Sequence, residues 1–306
     1  MTIAAKRKLA LALVSGCTLL AAMSQAQAAS TWGINASACQ AAIGTNLGTT
    51  VGNSAKCAAT DGDTNGLTMW AYGAGAVRNT SGAVTGATGT YQDAQLAAMS
   101  SDGVAVKSAY EIATNTGSPQ HALDNSPTNG APDLILLKFD TAVALDKVTI
   151  GWRQNDADFT LMAYTGTFGA GLNDGQKADA LVVGKSASTL TAGAGWALIE
   201  DSGANGFDPG PAANYSSGTN VTRTVNDGDA AGGKKDVVSS WWLISAYNSN
   251  FGGGATFDTN NDYIKLLTFA SKDVTTNQAP EPTSLALAGV ALAGILGVRR
   301  RRAAQG

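Results

Sequence analysis

The feature that most constrains this chain is a set of short apolar runs, each closed by Gly, Asn, Asp or Ser. Leu134-Ile135-Leu136-Leu137-Lys138-Phe139 lies between Asp133 and Asp140. Val148-Thr149-Ile150-Gly151-Trp152 alternates, as does Phe159-Thr160-Leu161-Met162-Ala163-Tyr164 before the turn Thr165-Gly166. Trp196-Ala197-Leu198-Ile199 is bounded by Gly195 and Glu200. Trp241-Trp242-Leu243-Ile244-Ser245-Ala246-Tyr247 is the most hydrophobic internal stretch, and Tyr263-Ile264-Lys265-Leu266-Leu267-Thr268-Phe269 is the last run. Short β-rich runs divided by turn residues predict an all-β, antiparallel β-sandwich, jelly-roll-like, over residues 29–278. The acids agree, since Glu occurs only at 111, 200 and 281 and the rest are Asp, a residue of turns and caps. One helix is expected near residues 175–185. Residues 31–66 read as polar and loop-rich. No period of 20–50 residues repeats, which argues against a solenoid.

A chain 44% hydrophobic, with net charge −3 and 14% charged residues, is too apolar to stay disordered. That charge balance also gives no reason to expect a nucleic-acid partner.

Both ends read as addresses. Lys6, Arg7 and Lys8 precede a nearly unbroken apolar run to Met23, and Ala26-Gln27-Ala28 fits the small-x-small rule. Residues 1–28 are therefore expected to be a signal peptide, helical in its apolar part, cut by signal peptidase between Ala28 and Ala29. Val14-Ser15-Gly16-Cys17 resembles a lipobox and offers a second reading, with Cys17 lipidated. At the other end, residues 284–298 carry no charge and run into Arg299, Arg300, Arg301 and Arg302. At a rise of about 1.5 Å per residue they span about 22 Å, a short transmembrane helix helped by arginine snorkelling. The arginines place its end in the cytoplasm and the body on the far side.

Pro280-Glu281-Pro282, the apolar helix and the arginine cluster resemble the PEP-CTERM sorting signal of Gram-negative bacteria, here covering residues 279–306. The resemblance implies a membrane-embedded exosortase as partner. It would cut near the Pro-Glu-Pro motif and pass the transiently anchored protein to the envelope or exopolysaccharide matrix. The body has its own resemblance. His121-Ala122-Leu123-Asp124-Asn125, residues 134–140, 148–152, 156–159 and 163–166, Ser239-Ser240-Trp241-Trp242 and Asp262-Tyr263-Ile264-Lys265-Leu266 follow the order seen in exosortase-dependent surface proteins. That family supplies no catalytic residues.

Cys39 and Cys57 remain once the signal peptide is gone, and an oxidising envelope favours a disulfide between them. Catalytic signatures are thin. His121 is the single histidine, and there is no G-x-S-x-G, C-x-x-C or H-E-x-x-H. A glycoside hydrolase or lyase acting on matrix polysaccharide would need two carboxylates, which Glu111, Glu200 and any Asp could provide. Calcium is the cofactor that Asp61-Gly62-Asp63-Thr64-Asn65-Gly66 suggests, through Asp61, Asp63 and Asn65. Its twelfth position is Tyr72 rather than Glu, and plain turn chemistry explains the same residues. Residues 155–158, 226–229 and 258–262 are similarly oxygen-rich. Trp152, Trp196, Trp241 and Trp242 suggest a carbohydrate platform. Adjacent Trp241 and Trp242 should face opposite ways on a strand, one into the core and one outward. The expectation is a non-enzymatic surface or matrix protein associated with exopolysaccharide or biofilm, the alternatives being the matrix-acting enzyme and a carbohydrate-binding module.

Overall fold

The apolar runs become strands, and the first two of them fuse into one strand that joins two sheets. The computed structural model describes residues 29–34, 39–40, 52–99, 102–114, 122–125, 131–155, 159–190, 195–201, 220–228, 234–247 and 262–273. They fall in one compact unit, Ala28–Asp273. The predicted signal helix and the predicted membrane helix 284–298 lie outside the described residues. Among the described residues no helix is long and apolar enough to cross a membrane.

In chain order the strands are β1 (Thr31–Gly33), β2 (Cys39–Gln40), β3 (Ser54–Cys57), β4 (Leu67–Arg78), β5 (Val84–Asp93), β6 (Gln95–Met99) and β7 (Gly103–Lys107). After helix α1 (Ala109–Thr114) come β8 (Leu123–Asp124), β9 (Leu134–Asn155) and β10 (Phe159–Tyr164). Helix α2 (Asp174–Val182) is followed by β11 (Trp196–Asp201), β12 (Val221–Thr224), β13 (Ser239–Ala246) and β14 (Asp262–Lys272). All the pairings are antiparallel, as expected for this fold class.

The first sheet runs β11-β10-β13-β9-β4, using the first half of β9, with β3 and β5 each pairing β4. The second sheet uses the other half of β9, with β12 and β14 as its partners. β14 in turn pairs β1, β7 and β8. β9 passes from the first sheet to the second between Phe139 and Ala144, through Asp140 and Thr141, where the sequence looked like a turn. Tertiary bonds hold that crossing. Asp140 N donates to Gly66 O at 2.9 Å, Gly66 N donates to Asp140 Oδ2 at 3.2 Å, and Thr141 N donates to Asn65 Oδ1 at 2.9 Å.

The period of two along each strand sorts side chains into two cores. Ile135, Leu137, Phe139, Leu67, Met69 and Trp242 of the first sheet pack with Val148, Ile150, Ile264, Leu266 and Phe269 of the second. This is the interior of the sandwich. The opposite face of the first sheet carries Leu134, Leu136, Trp70, Met162, Trp241 and Leu243. Ala178, Leu181 and Val182 of α2 cover it. Because that sheet is buried on both faces, residues 134–139 and 241–247 are apolar at every position but Lys138 and Ser245. The predicted helix is α2, and Asn173 caps it by accepting from Gln176 N, with Gln176 bonding back to the Asn173 N–H.

Residues 31–66, read as loop, contain β1, β2 and β3, which are two to four residues each. Cys39 and Cys57 stand opposite one another across β2 and β3 and form a disulfide that closes 18 residues. Cys39→Ser is expected to remove about 3 kcal/mol, because the unfolded chain regains the freedom of that loop. Equilibrium urea unfolding measures this, and Cys57 should then react with a thiol reagent. An unchanged midpoint would mean that the loop is already held by other contacts.

Candidate functional site

A groove of about 540 Å³ opens where β10, β13, β9 and the start of α2 meet. Trp241 forms its floor, half-buried Tyr164 and Phe168 its wall, and Lys138, Asp174 and Lys177 its polar side. Local bonds fix each part. Ser239 Oγ donates to Tyr164 O at 2.7 Å, which ties β13 to the end of β10. Tyr164 Oη donates to Thr167 O at 3.1 Å and holds the following loop against its own ring. Phe168 then lies 4.9 Å from the Tyr164 ring and 5.4 Å from that of Trp241, centroid to centroid. Lys177 Nζ stands 5.7 Å from the centre of the Phe168 ring.

The charges in the groove are shared. Asp174 receives Lys177 Nζ at 3.2 Å and Lys138 Nζ at 3.3 Å, and Lys138 also reaches Asp140 at 3.2 Å. Burial pushes the Asp174 carboxyl up. The hydrogen bonds and charges of Lys177 and Lys138 outweigh that push and leave it below the ordinary carboxylate range. Aromatic faces beside a set of fixed donors and acceptors suit a ligand with both apolar ring faces and hydroxyls.

The tryptophans named from sequence divide. Trp242 is fully buried in the inter-sheet core, where its Nε1 donates to Ser239 O at 2.8 Å. Trp241 points to the other face and is 5% exposed, stacked on Trp70 at 5.6 Å with 19° between planes. The outward-facing tryptophan is therefore itself largely covered, and the more open rings of the groove are Tyr164 and Phe168. Trp152 packs under Lys265, whose Nζ lies 4.2 Å from the ring centre. Trp196 is buried with its ring edge-on to Tyr164.

In the 61–66 loop the acidic oxygens are engaged by the protein. Asp61 accepts from Thr31 N at 2.7 Å and Asp63 N at 3.2 Å. Asp63 accepts from Ser30 Oγ and, at 3.3 Å, from Asn65 N. The Ser30 bond holds the Asp63 carboxyl below its ordinary range. Together these bonds clamp β1 to the loop. Ala29, the expected first mature residue, donates its N–H to Asp273 Oδ1 at 2.5 Å, beside the end of β14.

Three carboxylates that sequence reading left apart do meet: Glu111, Asp124 and Asp133, with one oxygen of each within 4.8 Å of the other two. Their elements bring them there. Ser108 caps α1, with Glu111 Oε2 accepting from Ser108 N at 2.7 Å and from its Oγ at 3.0 Å. This S-x-x-E box is the sequence signal that places Glu111 at the start of α1. Asp133 N donates to Asp124 O at 2.7 Å, joining the residue before β9 to β8. Burial, then the charges of Glu111 and Asp124, push the Asp133 carboxyl well up. Burial likewise raises Glu111, against the Ser108 bonds.

His121, Ala28, Pro280, Glu281, Pro282 and the arginines 299–302 lie outside the described residues, as do residues 156–158 and 258–261 and the side chain of Glu200. No curated protein and no solved structure matches the chain. Residues 278–302 match the family model of the PEP-CTERM protein-sorting motif. The chain thus carries at its C-terminus the signal of exosortase-dependent export to the cell surface or beyond.

Proposed function

We propose that the exported β-sandwich is a non-catalytic surface or matrix protein that holds exopolysaccharide. The observation that carries this is the groove, where Tyr164, Phe168 and Trp241 stand against Lys138, Asp174 and Lys177. Sugar rings present apolar faces that stack on aromatic side chains, while their hydroxyls bond to charged groups at the rim. The sorting motif supports the setting, because it sends the ectodomain to where such polymers lie. The exosortase processes the tail, and the body needs no catalytic centre for this role.

The test is retention of the secreted ectodomain on immobilised exopolysaccharide from the producing cells. Phe168→Ala removes a half-buried ring without opening the inter-sheet core. It is expected to weaken retention about tenfold, the loss of one stacking contact of about 1–1.5 kcal/mol. Reducing ends should not accumulate during the incubation. Their release, dependent on Glu111 or Glu200, would favour the hydrolase instead. Equal retention of wild type and Phe168→Ala would place binding outside the groove.

A further inference from the structure

Asp124 and Asp133 are 3% and 2% exposed, and with Glu111 they bring three carboxylate oxygens within 4.8 Å of one another. Some of their capacity is used. Glu111 Oε2 caps α1 through Ser108, whereas Ser245 Oγ donates, at 2.8 Å, to the backbone oxygen of Asp133 and not to its carboxylate. Asp133 Oδ2, however, is buried and has no hydrogen-bond partner. Buried oxygens of this kind are almost always satisfied, and an unsatisfied carboxylate oxygen is the costlier case.

The surroundings make room for the arrangement. Gly73 on β4 lies against it, and a Cβ there would come 2.3 Å from Asp133 Oδ1 and 2.8 Å from Ser108 Cβ. Only a residue without a side chain lets the strand pass so close. Three consecutive elements, α1, β8 and the residue just before β9, thus converge on one small volume lined by acceptors. Mutual repulsion in a buried volume opposes such convergence unless positive charge enters it.

The geometry points to a buried binding site for one divalent cation, calcium, held by Glu111, Asp124 and Asp133. Calcium matches the donor set, which is entirely hard oxygen, and it tolerates irregular ligand geometry completed by carbonyls and water. Asp133 Oδ2 gains the partner it lacks. The ion would then pin α1, β8 and β9 together at one edge of the sandwich. This role is structural and does not depend on the glycan groove.

The test uses the secreted ectodomain after EDTA treatment and dialysis, with calcium chloride as the probe. Adding 1 mM calcium is expected to raise the thermal midpoint by about 5 °C or more. Elemental analysis before EDTA should find about one calcium per chain. Asp133→Asn should abolish the calcium-dependent shift, and Glu111→Gln provides the second variant should the first fail to fold. Asp63→Asn should leave the shift intact. No metal and no shift in the wild type would overturn the site and leave shared protons as the way the carboxyls coexist. A shift lost in Asp63→Asn but kept in Asp133→Asn or Glu111→Gln would overturn it too, by moving the ion to the 61–66 loop.

Discussion

A variant with both Pro280 and Pro282 replaced by alanine is expected to stay in the membrane fraction as uncut precursor. Both prolines lie within the matched sorting motif, two to four residues ahead of the apolar stretch 284–298. Proline lacks the N–H that a helix needs, and it keeps the residue before it extended. The pair therefore separates the end of the ectodomain from the apolar segment by a stretch that cannot become helical. We propose that the exosortase takes the motif as an extended stretch, so that cutting depends on this restriction. Alanine at both positions removes that restriction, Ala being the strongest helix former. Intact mass and fractionation give the readout. Wild type should appear in the envelope or medium without Arg299–Arg302, while the double variant should retain them. A variant of the same mature mass and location as wild type would show that the prolines play no part in processing.

The fold was legible where burial had a simple period. The runs at 159–164 and 263–269 lie within β10 and β14, because each strand's pattern follows from its own neighbours. The runs at 134–139 and 148–152 read as two strands but are one, β9. Asp140 and Thr141 have turn chemistry, and what keeps them extended is a set of bonds to Asn65 and Gly66 that no local pattern displays. β4 and β5 were not legible at all. β4 contains Gly73 and Gly75, and glycine weakens a strand prediction. At Gly73 a side chain would collide with Asp133 and Ser108, so there the residue that lowers the propensity is one the packing requires, whereas at Gly75 it would meet only the movable end of Gln92. The groove was half legible. Alternation separated Trp241 from Trp242, but Tyr164 and Phe168 join the site only through pairing and loop return. The carboxylate trio was illegible because its members come from three separate elements.

Trp242→Ala is expected to be the most damaging single core substitution, costing about 3–5 kcal/mol. The side chain is fully buried between the sheets, and it is one of the largest so placed. Its removal leaves a cavity in the inter-sheet core that neighbours cannot fill without moving β13, which is hydrogen-bonded to β10 on one side and β9 on the other. It also strips the donor from Ser239 O, an acceptor beside the groove strand. For a domain of this size the loss corresponds to a fall in thermal midpoint of roughly 6–20 °C. Trp242→Phe keeps most of the volume and should recover more than half of it. Because Trp242 faces away from Trp241, whatever remains folded should keep the retention on exopolysaccharide proposed for the groove. Far-ultraviolet circular dichroism follows the unfolding without relying on the fluorophore removed. A cost under about 1 kcal/mol would mean that the two sheets do not close on Trp242, and the assignment of the inter-sheet core would fail with it.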